Sequence, residues 1–162
     1  MKNPLILVVN DDGISAKGIR NLIKIMNDFG DVVVVAPNSP QSAKSHAISI
    51  ETLIRCDKVV IDNGPQKEYA CSGTPVDCVK LAVSQILDKK PDLCVSGINH
   101  GSNHSINGLY SGTLHGAMEA TIQGIPSLSF SHLSYSNQID FKPFKSIIKK
   151  MVISVLDNSL PR

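Results

Sequence analysis

The chain has 162 residues, a hydrophobic content of 42% and a formal net charge of +2. This size and composition favour one folded domain with its own core and argue against disorder. The 16 basic and 14 acidic residues are spread along the sequence, so no basic patch favours a nucleic acid as partner. With no Trp and 4% aromatic residues, a stacking platform for single strands is also excluded. Small-molecule chemistry is the first hypothesis.

The cysteines and the N-terminus predict a cytoplasmic protein that has no membrane as partner. The four cysteines are Cys56, Cys71, Cys78 and Cys94. They form no CxxC pair, so we expect reduced thiols in or near the core rather than a zinc or redox site. The apolar run at residues 5–9 stops at Asn10, which is too soon for a signal peptide or a membrane span.

The N-terminal part of the chain predicts a β-α-β unit. Continuous β-branched runs at residues 5–9 and 32–36 are typical of strands buried on both faces of a parallel sheet. Between them, apolar residues recur at helical spacing from Ile19 to Met26, and Gly30 is expected to cap this helix. The crossover is expected to be right-handed.

A hairpin and a helix are expected in the middle of the chain. Alternation over residues 47–54, a turn at 63–65 and the run 69–72 predict an antiparallel strand or hairpin. Thr74 supplies the hydroxyl of an N-cap and Pro75 suits the first helical position. A helix is therefore expected to begin there.

The second half of the chain predicts regular elements around a long polar loop. Residues 96–112 hold four glycines and few apolar residues, and this loop is too long and polar to be only a connection. The elements expected around it are strands at 93–95 and 128–131 and helices at 113–123 and 144–156.

This order of elements predicts a Rossmann-like, doubly wound α/β fold with three layers and a mostly parallel sheet. In such sheets the ligand lies beyond the carboxyl ends of the strands. The candidate segments are therefore 10–13, 37–46, 96–112 and 129–132. No Gly-x-Gly-x-x-Gly follows the first strand, which argues against a dinucleotide-binding protein.

Asp11 and Asp12 form an acidic doublet directly after the first strand. One Asp would suffice as a helix N-cap, whereas two adjacent carboxylates repel unless a cation lies between them. From the doublet alone, the metal site and the helix cap both stay open. Ser42 and Asn99, from later loops, complete an all-oxygen set of the kind that Mg²⁺ or Mn²⁺ prefers.

The long polar loop also holds candidate phosphate ligands. Ser111, Gly112 and Thr113 open a helix, where N–H and hydroxyl groups would point at an anion. His100 and His104 have the i, i+4 spacing of a zinc pair, but the residues between them argue against the helix that this pairing needs.

Five motif blocks follow one another along essentially the whole chain. They are VNDDGI at 9–14, Ala36-Pro37 with Ser42 and His46, SGTPVDCV at 72–79, SGINHGSN at 96–103 and YSGT at 110–113. Together they resemble the SurE family of metal-dependent survival-protein nucleotidases.

The resemblance implies a 5′-nucleotidase that converts nucleoside 5′-monophosphates to nucleoside and phosphate. Some members of the family also accept 3′-nucleotides or short polyphosphate. One divalent metal per subunit, Mg²⁺ or Mn²⁺, is implied, with the ligands Asp11, Asp12, Ser42 and Asn99. The residues expected to act in catalysis are Asp11, Asp12, Asn99 and Ser111. Those expected to contact phosphate or substrate are Asn103, Ser111, Gly112 and Thr113.

The sequence departs from the family pattern in two places. Asn107 stands where many relatives have Asp, so no acid or base role is assigned there. The family's chains are usually longer, and the resemblance implies a single domain over residues 1–162 that lacks the C-terminal part. Assembly in the family implies a homodimer or homotetramer if that part is not required.

Three alternatives to this interpretation require other residues or a different role for the same residues. A receiver domain needs an Asp at the end of the strand that follows Pro91, where the chain has Ser96-Gly97. A haloacid-type phosphatase needs Asp-x-Asp after the first strand, which Asn10-Asp11-Asp12 does not supply. A non-catalytic nucleotide- or metal-binding remnant of the same fold stays open.

Overall fold

The computed structural model describes residues 3–134 and 139–158, so the domain predicted over 1–162 is described without its ends and residues 135–138. The strands are β1 Leu5–Val9, β2 Asp31–Pro37, β3 Cys56–Val59, β4 Lys67–Cys71, β5 Leu93–His100 and β6 Ser127–His132. The α-helices are α1 Lys17–Met26, α2 Pro75–Leu81, α3 Gly112–Ile122 and α4 Lys142–Asn158. A π-helical turn, Ala82–Ile86, follows α2, and a 3₁₀ segment, Ser105–Tyr110, precedes α3.

The six strands form one sheet in the order β3-β4-β2-β1-β5-β6. Every neighbouring pair is parallel except β3 with β4. The predicted doubly wound, mostly parallel sheet is therefore confirmed. Because the chain moves from β1 to β2 on one side and β5 lies on the other, the strand order reverses between β1 and β5. Ligands of such sheets bind at this switch point.

Helices cover both faces of the sheet, which confirms the three layers. Side chains of β1 alternate between two apolar clusters: Ile6 and Val8 pack with α1 and α4, whereas Leu7 and Val9 pack with α2 and α3. The central position of β1 explains why its apolar run has no polar face. Within the described ranges, no helix has both the length and the apolar character needed to cross a membrane.

The prediction of a strand over residues 47–54 is wrong, whereas the predicted hairpin is present and consists of β3 and β4. The first strand of the hairpin is β3, and residues 47–54 form a loop. Ile48 and Ile50, which gave the alternating pattern, are 50% and 87% exposed. The intervening Ser49 hydroxyl donates instead to Asp77 of α2 at 2.7 Å.

Two boundaries also differ from the prediction. Helix α1 ends before the C-cap Asn27, and Gly30 is not its cap. A Cβ on Gly30 would lie 2.1 Å from the carbonyl oxygen of Pro4, so close chain approach accounts for this glycine. Strand β5 continues to His100 and includes the start of the predicted loop 96–112, since this segment pairs with β6.

The cysteine prediction is wrong for one pair. Cys56 and Cys71 lie opposite each other in the β3–β4 ladder and are joined by a disulfide. Their spacing in sequence gave no sign of this pairing, because the register of the hairpin brings them together. Cys78 and Cys94 are free and buried, and burial raises the pKa of the Cys94 thiol to about 12.

Candidate active site

The predicted site residues meet at the carboxyl edge of the sheet, at its switch point. Asp11 and Asp12 follow β1, Asn99 lies near the end of β5, and Ser42 follows β2. These four side chains line one pocket of about 310 Å³, together with Ser111. Four separate segments thus converge as the topology requires. The pocket is also lined by Ser102, Asn103, Asn107 and Tyr110.

Asp11 is held by a hydroxyl from the start of α3. It is 4% exposed, and Thr113 Oγ1 donates a hydrogen bond to its Oδ1. Burial is the main cause that raises the pKa of Asp11, and the charge of Asp12 adds to it, while the Thr113 bond acts in the opposite direction. The pKa remains raised, so the protein alone does not fully stabilise the Asp11 carboxylate.

Asp12 is more accessible and lies at the rim of two pockets. Its Oδ2 accepts a hydrogen bond from the backbone N–H of His100 at 3.0 Å. Burial nevertheless raises the pKa of Asp12, against the effect of this bond. A cation beside the doublet would favour both ionised carboxylates.

Asn99 is oriented by bonds to both ends of its amide. Its Nδ2 donates to the carbonyl of Gly101 at 2.9 Å, and its Oδ1 lies 3.2 Å from Thr113 Oγ1. The Thr113 hydroxyl therefore lies between the oxygens of Asp11 and Asn99. The β5–β6 register shifts between Ser96 and Asn99, which breaks the regular alternation of side chains at this edge.

Gly112 allows α3 to begin directly against Asp11. A Cβ at Gly112 would lie 2.7 Å from the Asp11 Cβ and 2.9 Å from its Oδ2. Gly112 and Thr113 are both buried and stand behind Asp11 rather than among the residues that line the pocket. Of the residues at this helix start, Ser111 is the one that reaches the pocket.

Ser111 is the N-cap of α3 and keeps a donor for a ligand. Its Oγ accepts a hydrogen bond from the N–H of Leu114 at 3.1 Å, which uses a lone pair and not the hydroxyl proton. The Ser111 carbonyl accepts a bond from His115 Nδ1 at 2.7 Å. Asn103, also predicted to contact substrate, donates from Nδ2 to Ser131 Oγ at 2.8 Å.

Ser42 lies in an irregular segment, residues 38–55, which we call the Ser42 loop. The N–H of Gln41 donates to the Asp11 carbonyl at 2.7 Å, which places the loop beside the acidic doublet. Ala43 and Ser45 have positive φ values of 58° and 50°. Non-glycine residues rarely adopt this conformation, and it persists where surrounding contacts enforce it.

The donor set fits a hard divalent cation. Two carboxylates with raised pKa values, an oriented amide and a hydroxyl converge on one pocket, and oxygen ligands of this kind suit Mg²⁺ or Mn²⁺. Within residues 3–134 and 139–158, no three side chains of the His, Cys, Asp and Glu types form a metal-binding group. The candidate set therefore depends on Ser42 and Asn99 as well as the two acids.

The fold and the site define a doubly wound α/β protein with an oxygen-rich pocket at the switch point of its sheet. The family model described as survival protein SurE matches residues 6–162. The chain therefore belongs to the SurE family, as the five motif blocks predicted.

Individual relatives are similar over almost the whole chain. The 5′-nucleotidase SurE of Flavobacterium psychrophilum is 60% identical over 99% of this chain and 63% of its own length. That of Christiangramia forsetii is 58% identical over 99% of this chain and 62% of its own. The crystal structure of the SurE protein from Aquifex aeolicus has a TM-score of 0.84 and 39% identity, covering 98% of this chain and 62% of that one. The chain thus spans less than two thirds of each relative.

Proposed function

We propose that this protein hydrolyses nucleoside 5′-monophosphates to nucleoside and phosphate with one divalent metal ion, Mg²⁺ or Mn²⁺. The observation that carries the proposal is the convergence of Asp11, Asp12, Ser42 and Asn99 on one pocket. The relatives' name, 5′-nucleotidase SurE, supports the same activity and favours an enzyme over a non-catalytic remnant. Nucleoside 3′-monophosphates and short polyphosphate belong to the proposed substrate range.

Asp11, Asp12, Ser42 and Asn99 would hold the metal, which supplies positive charge for a phosphate oxygen and lowers the pKa of a bound water. Asp11 is fixed by Thr113 and is suited to holding the cation in place. Asp12 accepts the His100 N–H through Oδ2, and we assign its Oδ1 to the attacking water. Asp12 would orient this water and accept its proton as the bond to phosphorus forms and the bond from phosphorus to the nucleoside 5′ oxygen breaks. The proton would then pass from Asp12 to that oxygen, which leaves as the hydroxyl of the nucleoside.

The phosphate would lie between the acidic doublet and the start of α3. Ser111 can donate its hydroxyl proton to a phosphate oxygen, because its own hydrogen bond from Leu114 uses a lone pair. Asn103, which also lines this pocket, adds an amide. We assign Gly112 and Thr113 to positioning Asp11 and Asn99, since both lie behind Asp11.

The nucleoside would occupy a larger pocket next to the phosphate site. This pocket has a volume of about 540 Å³ and shares Asp12 and His100 with the smaller one. Phe141, Ile139 and Ala16 give it apolar walls. A nucleobase needs such a surface, and an aromatic ring offers stacking.

Replacing Phe141 with Leu is expected to raise KM for a nucleoside 5′-monophosphate roughly tenfold, because stacking of a base on an aromatic ring is lost. The KM for glycerol phosphate, which has no base, should stay unchanged. Phe29→Leu is the matched control, because Phe29 is also half-buried against the same apolar cluster but does not line this pocket. Equal changes for both substrates would contradict a nucleoside site at Phe141.

Removing the metal is expected to lower phosphate release by roughly a hundredfold or more. The measurement uses a panel of nucleoside 5′- and 3′-monophosphates with Mg²⁺, with Mn²⁺ or with a chelator, and restoration of the metal should restore the rate. Release that is indifferent to chelator would exclude the metal mechanism. A folded protein that releases no phosphate with any metal would instead support the non-catalytic alternative.

The predicted assembly and location remain part of the proposal. A homodimer or homotetramer stays the proposed assembly if the C-terminal part is not required, and exposed apolar side chains such as Ile50 and Leu53, at 87% and 84% exposure, would offer contact surface for it. We retain the cytoplasm as the proposed location, although the Cys56–Cys71 disulfide removes the support that reduced thiols gave it. The proposed partner is the nucleoside monophosphate, with no nucleic acid polymer and no membrane.

A further inference from the structure

A charged cluster outside the candidate active site links the Ser42 loop to helix α3. His46 Nε2 lies 2.8 Å from Glu119 Oε2. Glu119 is 4% exposed, and its other oxygen accepts a bond from Gln123 Nε2 at 2.8 Å and lies 3.5 Å from Lys80 Nζ. The Ser42 loop is thus attached through a hydrogen bond to a buried side chain of α3.

The direction of the hydrogen bond between His46 and Glu119 follows from the protonation state of Glu119. Burial by itself would raise the pKa of Glu119, but bonds from Gln123 and His46 and the charge of Lys80 outweigh burial and lower it. The carboxylate is therefore ionised at neutral pH and can only accept. His46 consequently donates from Nε2, and such charge-assisted bonds are stronger than neutral ones.

His46 also contacts α3 at a second point, close to the phosphate site. Its ring meets the ring of His115 edge-on, with a centroid distance of 5.4 Å. His115 Nδ1 in turn donates to the Ser111 carbonyl at 2.7 Å. One imidazole is therefore in contact with the helix that presents Ser111 and belongs to the loop that presents Ser42.

The loop needs attachments of this kind. Ala43 and Ser45 have left-handed backbone conformations on both sides of Lys44, and these conformations require support from surrounding contacts. The Ser45 N–H donates to the Tyr110 carbonyl at 3.2 Å. Further along, the Ala47 carbonyl accepts from Thr74 Oγ1 at 2.7 Å. Between these two backbone contacts, His46 provides the side-chain link to α3.

We propose that His46 and Glu119 are positioning residues that fix the Ser42 loop against α3, so that Ser42 and Ser111 face the same ligand. The inference rests on the proposed function for the role of Ser42. The contact itself, and its effect on loop order, do not depend on that function.

The test compares His46→Ala with His46→Gln, whose side-chain amide can still donate to Glu119. Exchange of the Ser45 amide hydrogen, followed by NMR, is expected to accelerate roughly tenfold in His46→Ala, as the loss of a charge-assisted bond would give. The dissociation constant for Mn²⁺ should rise by a similar factor, and His46→Gln should restore both. Amides of the central strands should exchange at the wild-type rate.

Lys80→Met is the matched control, because it removes a group beside Glu119 without touching the Ser42 loop. It should leave both Ser45 exchange and Mn²⁺ affinity unchanged. In addition, the double variant His46→Ala, Glu119→Gln should accelerate Ser45 exchange no more than His46→Ala alone. The reason is that both substitutions remove the same contact between His46 and Glu119.

The outcomes separate this inference from the proposed function. Unchanged Ser45 exchange in His46→Ala, or equal acceleration by Lys80→Met, would overturn the positioning role. Failure of the wild-type protein to bind Mn²⁺ would contradict the metal site, while Ser45 exchange would still report on the His46–Glu119 contact.

Discussion

Replacing Asp12 with Asn is expected to abolish metal-dependent phosphate release, with kcat/KM lowered roughly a thousandfold. The amide is the same size and can still accept the His100 N–H, which bonds Asp12 Oδ2 at 3.0 Å. What the substitution removes is the charge beside the cation and the base for the attacking water. The measurement is phosphate release from a nucleoside 5′-monophosphate in Mg²⁺ or Mn²⁺.

Thermal unfolding of the metal-free variant provides the control for folding. Burial raises the pKa of Asp12 above 3.8, so the folded protein binds this proton more tightly than the unfolded chain does. The resulting stabilisation is complete below pH 3.8 and is lost as the pH rises through the folded-state pKa. At neutral pH the neutral Asn avoids the buried charge, and the variant should be at least as stable as the wild type. Full metal-dependent activity in Asp12→Asn would remove this acid from the mechanism.

The central strands could be predicted from the sequence because their environment leaves a direct pattern. The strands β1 and β2 are buried on both faces and read as continuous apolar runs. Thr74 likewise predicted the start of α2. Its side chain accepts a hydrogen bond from the Asp77 N–H, and the Asp77 side chain accepts one from the Thr74 N–H, so the two residues cap the helix. In these cases the residues that determine the structure are neighbours in the chain.

The Ser42 loop could not be predicted because its determinants lie elsewhere in the chain. Ile48 and Ile50 have the spacing of a strand, yet they are 50% and 87% exposed. What fixes this segment is contact with α2 and α3, as in the bond from the Ser49 hydroxyl to Asp77. Local periodicity does not register such tertiary contacts.

In the candidate site, too, individual residues could be predicted from the sequence, but contacts between residues far apart in the chain could not. The rule that ligands bind beyond the carboxyl ends of strands selected Asp11 and Asn99. The Thr113 hydroxyl, which contacts both side chains, comes from 102 residues beyond Asp11, and no local pattern in the sequence indicates these contacts. His46 and Glu119 are 73 residues apart. No local pattern indicates this pair, because the contact depends on how the Ser42 loop packs against α3.

The packing of α1 on β5 gives the largest expected effect on stability. A Cβ at Gly18 would lie 1.9 Å from the carbonyl oxygen of Ile98. Neither atom can turn away, because one belongs to a helix backbone and the other to a strand backbone. Gly18→Ala is therefore expected to lower the free energy of unfolding by about 3 kcal/mol or more. Urea unfolding measures this as a lower midpoint, and separation of α1 from β5 would also disturb Asn99, the neighbour of Ile98.

Gly116→Ala is the matched control, because it adds the same methyl group to a buried helical glycine. At this position the nearest atoms to an added Cβ, among them Pro75 Cβ and Ser96 Oγ, are 3.4 Å away, an ordinary contact. Alanine favours the helix over glycine by about 1 kcal/mol, so this variant should match or slightly exceed the wild-type stability. If Gly18→Ala instead unfolds within about 0.5 kcal/mol of the wild type, a change typical of an uncrowded surface site, then α1 is not held against β5 at the distance the structure shows.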